Sequence, residues 1–214
     1  YCNYPPECLA KTSVGSVLQP SIEAIAALAP DVVLMTAEGN SKTTYLQLEK
    51  LGIRTFICNP ESFEGVRRSI VSIGKLTGRE GEAEALLSEI LNKRRPAIRD
   101  SLAPAPVVLF VLSAEPLIVA GNNTFLGEMV DKAGADKPFS GLKDRYPVIS
   151  REQVLRNPPD IILLPSDMNM TPSSLLLTFP EWDRLPAVTG NDIHVVDADL
   201  FQRPGPRIWT GLDT

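Results

Sequence analysis

The chain has 214 residues, 43% hydrophobic content and a net charge of −5. That length and apolar share suffice for one large or two small cores, and the acidic balance without a basic block argues against nucleic acid as a partner. No apolar run approaches the roughly 20 residues that a membrane-spanning helix needs.

Taken in order, the chain opens at Tyr1 without Met or a signal sequence and is read as a fragment or a processed form. Pro5-Pro6 follows Tyr4, which must therefore be extended or in a turn. Three cysteines, Cys2, Cys8 and Cys58, allow at most one disulfide. Either Cys2 or Cys8 could approach Cys58, and three unpaired thiols are an equal alternative. Residues 14–18 read as a short extended piece. Next comes a stretch that recurs later: Ser21-Ile22-Glu23-Ala24-Ile25-Ala26-Ala27-Leu28-Ala29-Pro30-Asp31-Val32-Val33-Leu34-Met35. It reads as a Ser-capped short helix, a Pro stop and a buried strand. The polar loop 36–40 follows, then a helix over 44–51 closed by Gly52 and a strand over 54–58. Ser62 caps a helix to about Leu76, with Val66, Ile70, Ile73 and Leu76 on one face.

Residues 79–95, continuing to Leu102, form the helix around which the chain is organised. Ala83, Leu86, Leu87, Ile90 and Leu91 make one apolar stripe, with Glu82, Glu84, Glu89 and Lys93 in water. Pro96 should bend any continuation. Beyond it, 107–112 reads as a buried strand, 117–120 as a second strand, 125–133 as a helix and 134–146 as a polar loop. The recurrence is Ser150-Arg151-Glu152-Gln153-Val154-Leu155-Arg156-Asn157-Pro158-Pro159-Asp160-Ile161-Ile162-Leu163-Leu164. Ser, Glu, Pro-Asp and four apolar residues match the first copy at one constant offset. A turn or short helix over 180–185, a strand over 193–196, a loop over 197–207 and a final helix from Pro206-Arg207-Ile208 complete the reading.

Strands alternating with helices imply an α/β fold with parallel sheets, here two Rossmann-like lobes joined by one long interdomain helix. The boundaries are 1–78 for the N-terminal lobe, 79–103 for the linking helix and 104–214 for the C-terminal lobe. Ligands in such sheets bind beyond the carboxyl ends of the strands. That rule nominates the loops at 1–4, 36–40, 59–62, 113–118, 166–167 and 201–203, lining a cleft between the lobes. A metal carrier is disfavoured because the only histidine is His194. An enzyme on this fold is the rival from another class. The sequence has no G-x-G-x-x-G and no G-x-S-x-G, and Gly74-Lys75-Leu76 lacks the Ser/Thr of a phosphate loop. Asp31 and Asp160 recur at equivalent places before strands, which argues for a structural role.

The repeated segments, Leu51-Gly52-Ile53, Asn3-Tyr4-Pro5-Pro6, Val148-Ile149-Ser150-Arg151-Glu152-Gln153-Val154-Leu155 and Phe201-Gln202-Arg203 with Pro206-Arg207-Ile208 carry a resemblance. They resemble the substrate-binding proteins of bacterial ABC importers, in the cluster with a rigid interdomain helix that handles vitamin B12, ferric siderophores and haem. Within it they are most similar to the cobalamin-binding proteins. The similarity runs nearly end to end, with the family's first strand-helix unit and last helix absent here. It implies no catalysis and no cofactor, only a transported ligand (cobalamin or a ferric siderophore). It further implies a monomer that delivers cargo to a permease dimer, with limited closure around the stiff helix. The location implied is periplasmic or extracytoplasmic, with lipid anchoring left open. Glu23 and Glu152 match the surface glutamates, one per lobe, that dock onto permease arginines. Tyr4 and Tyr146 match aromatic positions that sandwich the corrin ring, while Gln202 and Arg203 match polar groups near the ligand, beside Phe201. Val17, Thr36 and Ile118 stand where the relatives carry bulky aromatics. Arg145 and Arg203 offer guanidinium forks to an anionic ligand such as a siderophore. Trp182 and Trp209 are read as packing residues.

Overall fold

A computed structural model describes residues 3–93 and 104–212, which divide into two compact units, Tyr1–Pro60 and Glu61–Thr214.

The first unit opens with a 3-10 helix, Pro6–Ala10, followed by α1 (Ile22–Ala27), β1 (Val33–Thr36), α2 (Lys42–Lys50) and β2 (Thr55–Cys58). The Ser21 hydroxyl accepts the Ala24 N–H at 3.1 Å, satisfying one of the donors that a helix start leaves unpaired. Ser41 does the same for Thr44 in α2. β1 and β2 pair in parallel, Val33 opposite Thr55 and Thr36 opposite Cys58. Ile25, Met35 and Leu48 form the core. The expected full burial of β1 is not observed: Leu34 is 49% exposed. Parallel strands are buried only when layers cover both faces, and this sheet has two strands among the described residues. The extended piece expected over 14–18 is broken at its second residue. Gly15, at φ 97°, turns the chain, and the Ser21 N–H closes the loop onto the Val14 carbonyl at 2.7 Å. Cys8 and Cys58 are free thiols, and Cys2 lies outside the described residues.

The second unit begins with α3 (Phe63–Thr77), capped by Ser62, and α4 (Glu80–Lys93). Gly78 ends α3 in the left-handed conformation, and Gly74 lets the helices approach, since a Cβ there would lie 2.6 Å from Cβ of Ala83. The organising helix is thus observed as far as Lys93; the stretch with Pro96 lies outside the described residues. Ala83 and Leu87 of its apolar stripe are buried, whereas Leu91 is half exposed.

Then follow β3 (Val108–Ala114), β4 (Leu117–Val119), α5 (Phe125–Lys132), α6 (Arg151–Arg156), β5 (Ile161–Pro165) and a 3-10 turn, Ser166–Met168. After these come α7 (Pro172–Thr178), a 3-10 helix Pro180–Arg184, α8 (Pro186–Thr189), β6 (Ile193–Val196), α9 (Ala198–Phe201) and α10 (Ile208–Leu212). The sheet order is β4-β3-β5-β6, with β3, β5 and β6 parallel and β4 antiparallel to β3. One core gathers Leu109, Val111, Ile162 and Leu164 with Phe179 and Trp182, whose rings stack at 4.2 Å. The other gathers Phe110, Phe125, Leu126 and Phe201 with Phe63 and Trp209. Both tryptophans are buried packing groups. Three α-helices, α7, α8 and α9, go beyond the sequence expectation. α7 carries its own signal, a capping box between Thr171 and Ser174 with Pro172 at the start. In α9, within the expected loop, Asp197 accepts the Asp199 N–H at 2.9 Å.

Candidate functional site

In the first unit the candidate residues sit on loops whose geometry is set by small side chains. Thr36 ends β1; its N–H donates to Oδ1 of Asn40 at 2.8 Å and its hydroxyl accepts the Gly39 N–H at 3.2 Å. The Asn40 amide donates onward to the Val17 carbonyl at 2.9 Å. A Cβ at Gly39 would lie 2.5 Å from Cγ1 of Val17 and 2.7 Å from Oγ1 of Thr36, so a larger residue would displace those side chains. Thr36 and Val17 therefore build one tight loop at the carboxyl end of β1. Tyr4 precedes a cis proline and is 59% exposed.

In the second unit Tyr146 is fixed from both sides of the chain. The Gly121 N–H donates to the Arg145 carbonyl at 2.9 Å and the Val119 N–H to the Pro147 carbonyl at 3.2 Å. Arg145 adds its Nε–H to the Asn123 carbonyl at 3.0 Å, pairs with Glu61 at 3.7 Å and lies over the Tyr146 ring at 5.9 Å. Gly121 admits this strand-like segment, because a Cβ would meet the Asp144 carbonyl at 2.6 Å. Tyr146 as a whole is 46% exposed. Ile118 is half-buried in β4, bridged to Val148.

The loops after β5 and β6 meet, since the Ala198 N–H donates to the Ser166 hydroxyl at 3.1 Å. Arg203 pairs with Asp199 at 2.7 Å, and Arg207 approaches the same carboxylate at 4.0 Å. Gln202 is half-buried. Phe201, expected among the ligand contacts, is 8% exposed with its ring 5.8 Å from that of Phe110. Asp197 starts α9 so that the ring turns inward, which makes Phe201 a core residue. An apolar cavity of about 560 Å³ lies beside it, lined by Phe110, Leu126, Met129, Leu163 and Leu212; of the candidate residues it touches Phe201 alone. His194 is on the surface of β6, 3.6 Å from Asp192.

Glu23 and Glu152 occupy the same position, the second residue of α1 and of α6, and both are exposed. Glu23 accepts the Ser21 hydroxyl at 3.3 Å. At Ser150 the capping box is complete: its N–H donates to Oε1 of Gln153 at 2.7 Å, and its hydroxyl accepts the Gln153 N–H at 3.3 Å. The Ser150 hydroxyl and the helix-start N–H hold the Glu152 carboxyl below the usual glutamate range, aided by Arg151 and Arg156. Each glutamate presents a carboxylate from a helix start.

Each unit by itself offers an exposed tyrosine face and a helix-start carboxylate, and the second adds the guanidinium groups of Arg145 and Arg203. Among the described residues no helix is long and apolar enough to cross a membrane, and no group of three or more His, Cys, Asp or Glu is placed to hold a metal ion.

A family model described as periplasmic binding protein matches residues 1–200. A vitamin B12-binding protein of Pectobacterium carotovorum is 26% identical over 211 residues, covering 97% of this chain and 74% of that protein. Among solved structures, the periplasmic haem-binding protein BhuT in complex with two haems superposes with a TM-score of 0.84 at 26% identity, over 99% of this chain and 82% of that one. The periplasmic vitamin B12-binding protein BtuF of Vibrio cholerae gives a TM-score of 0.77 at 20% identity, over 100% and 83%, a likeness of fold.

Proposed function

The chain belongs to the periplasmic binding protein family, and from that premise we propose that it captures a corrinoid, a vitamin B12-like macrocycle, and delivers it to the permease of an ABC importer. Its relatives are substrate-binding proteins and not enzymes, so the cargo leaves chemically unchanged. The observation that carries the reading is Tyr146, a half-exposed ring held in place by two backbone bonds and by Arg145. A flat, preset aromatic face suits a macrocycle because it buries area at little rotamer cost. Tyr4, Thr36, Ile118, Gln202 and Arg203 are the other ligand contacts we assign; Phe201 supports them from the core. Glu23 and Glu152 are the permease-docking carboxylates, one in each unit, and the protein works as an extracytoplasmic monomer.

A second reading within the same role, haem or a ferric siderophore, is favoured by Arg145 and Arg203, whose guanidinium groups suit carboxylate oxygens. Calorimetric titration with cyanocobalamin and with hemin decides between the two. Micromolar or tighter binding of cyanocobalamin, recovered intact, is the expected result. Binding of hemin alone moves the cargo to the second reading, and turnover of either overturns the role.

A further inference from the structure

The two helix starts that present Glu23 and Glu152 differ in what lies beside the glutamate. In α1 the preceding residue is Ile22, with no charge to offer. In α6 it is Arg151, whose guanidinium lies 4.7 Å from the centre of the buried Phe179 ring. Its two terminal nitrogens reach Glu181 at 3.7 Å and Glu115 at 3.8 Å. Its carbonyl accepts the indole N–H of buried Trp182 at 3.4 Å. One residue thus ties the first turn of α6 to the aromatic pair of the core, to the β3–β4 hairpin through Glu115, and to the 3-10 helix through Glu181.

We propose that Arg151 is a positioning residue for permease docking: it anchors the turn that carries Glu152 and draws Glu115 and Glu181 to one shared guanidinium, offsetting one of their two charges, so that Glu152 is the carboxylate this turn presents. The inference rests on the docking role proposed above for Glu152. The physical case is that exposed charges at an interface fix orientation and association rate more than they add affinity. Two loose acids beside Glu152 would attract a basic partner from many directions and blur the register. A cation seated on an aromatic face, within reach of both acids, lessens that ambiguity, and its ring contact helps hold the turn. On the equivalent turn of α1 the matching position is Ile22, which carries no charge, so the two docking turns are unequal.

The test is a double-mutant cycle on binding to the permease–ATPase pair of the protein's own importer in lipid nanodiscs, using Glu152→Gln, Arg151→Met and the double variant. Glu152→Gln should weaken binding by about tenfold and Arg151→Met by roughly threefold, the latter through faster dissociation. At low salt Arg151→Met should associate at least as fast as wild type, because two acids are unmasked; a purely structural defect would not do that. In the Glu152→Gln background Arg151→Met should cost nothing more, since it acts through Glu152. Arg151→Lys, which keeps the charge, guards against misfolding and should restore most of the binding. If Glu152→Gln weakens binding but Arg151→Met does not, or costs the same in both backgrounds, the positioning role is overturned. If Glu152→Gln binds like wild type, the docking reading itself falls and the positioning role with it.

Discussion

The two copies of the Ser-helix-Pro-Asp-strand pattern share their local structure but not their burial. Both fold into a Ser-capped helix of six residues followed by a parallel strand, α1–β1 and α6–β5. β5 runs between β3 and β6, and Ile162 and Leu164 are fully buried in its core. β1 pairs only with β2 among the described residues and leaves Leu34 half exposed. Four consecutive apolar residues therefore specify a strand meant for two covered faces, while the number of neighbouring layers decides how much of it is buried. The aspartates tell the same story. Asp160 accepts the Val107 N–H at 2.8 Å and so helps register β5 against β3. The Asp31 side chain is solvent-exposed, 4.0 Å from Arg54.

The largest effect should separate the two strands. Ile162→Ala is expected to destabilise the second unit by about 2–5 kcal/mol, through lost burial and a cavity. Leu34→Ala should change stability by no more than about 0.5 kcal/mol. Urea unfolding followed by tryptophan fluorescence reports the second unit, where both tryptophans lie, and far-UV circular dichroism covers Leu34. Equal costs would break the comparison. A smaller contrast is expected at the aspartates: Asp160→Ala should cost about 1 kcal/mol by unpairing Val107, and Asp31→Ala close to nothing, as surface pairs usually do. Amide exchange at Val107 would show the first directly.

The smallest effect is one of pH. Because Glu152 is held below the usual glutamate range by the Ser150 hydroxyl and the helix start, its ionised form favours the folded α6. That contribution is present above the ordinary glutamate pKa and disappears as pH falls through the lowered one. Carboxyl NMR titration should place Glu152 below a free glutamate, and Ser150→Ala should raise it towards the ordinary value. No change in Ser150→Ala would remove the hydroxyl as the leading cause.

Much of this was legible in the sequence because it is local. Ser21, Ser62 and Ser150 each mark a helix start that the structure contains, and the four-residue apolar runs mark β1 and β5. The constant offset between copies put Glu23 and Glu152 at equivalent helix positions without any coordinates. Long-range packing was less legible. Phe201 sits in an expected ligand loop, but the turn at Asp197 carries it inward against Phe110, a partner some ninety residues away. Arg151 reads on sequence as an ordinary charge in a first turn; its role depends on Phe179, Glu115 and Glu181, which only folding assembles. The α7 start is written in Thr171-Pro172-Ser173-Ser174, but a Pro-Ser cluster reads equally as a loop.

The proposed corrinoid reading rests on the exposed aromatic faces of Tyr4 and Tyr146. Its most direct test is calorimetric titration of wild type, Tyr4→Ala and Tyr146→Ala with cyanocobalamin. The account expects both variants to bind at least about tenfold more weakly, as loss of an aromatic contact at a binding site typically requires. Wild-type binding that survives unchanged in either variant would contradict it.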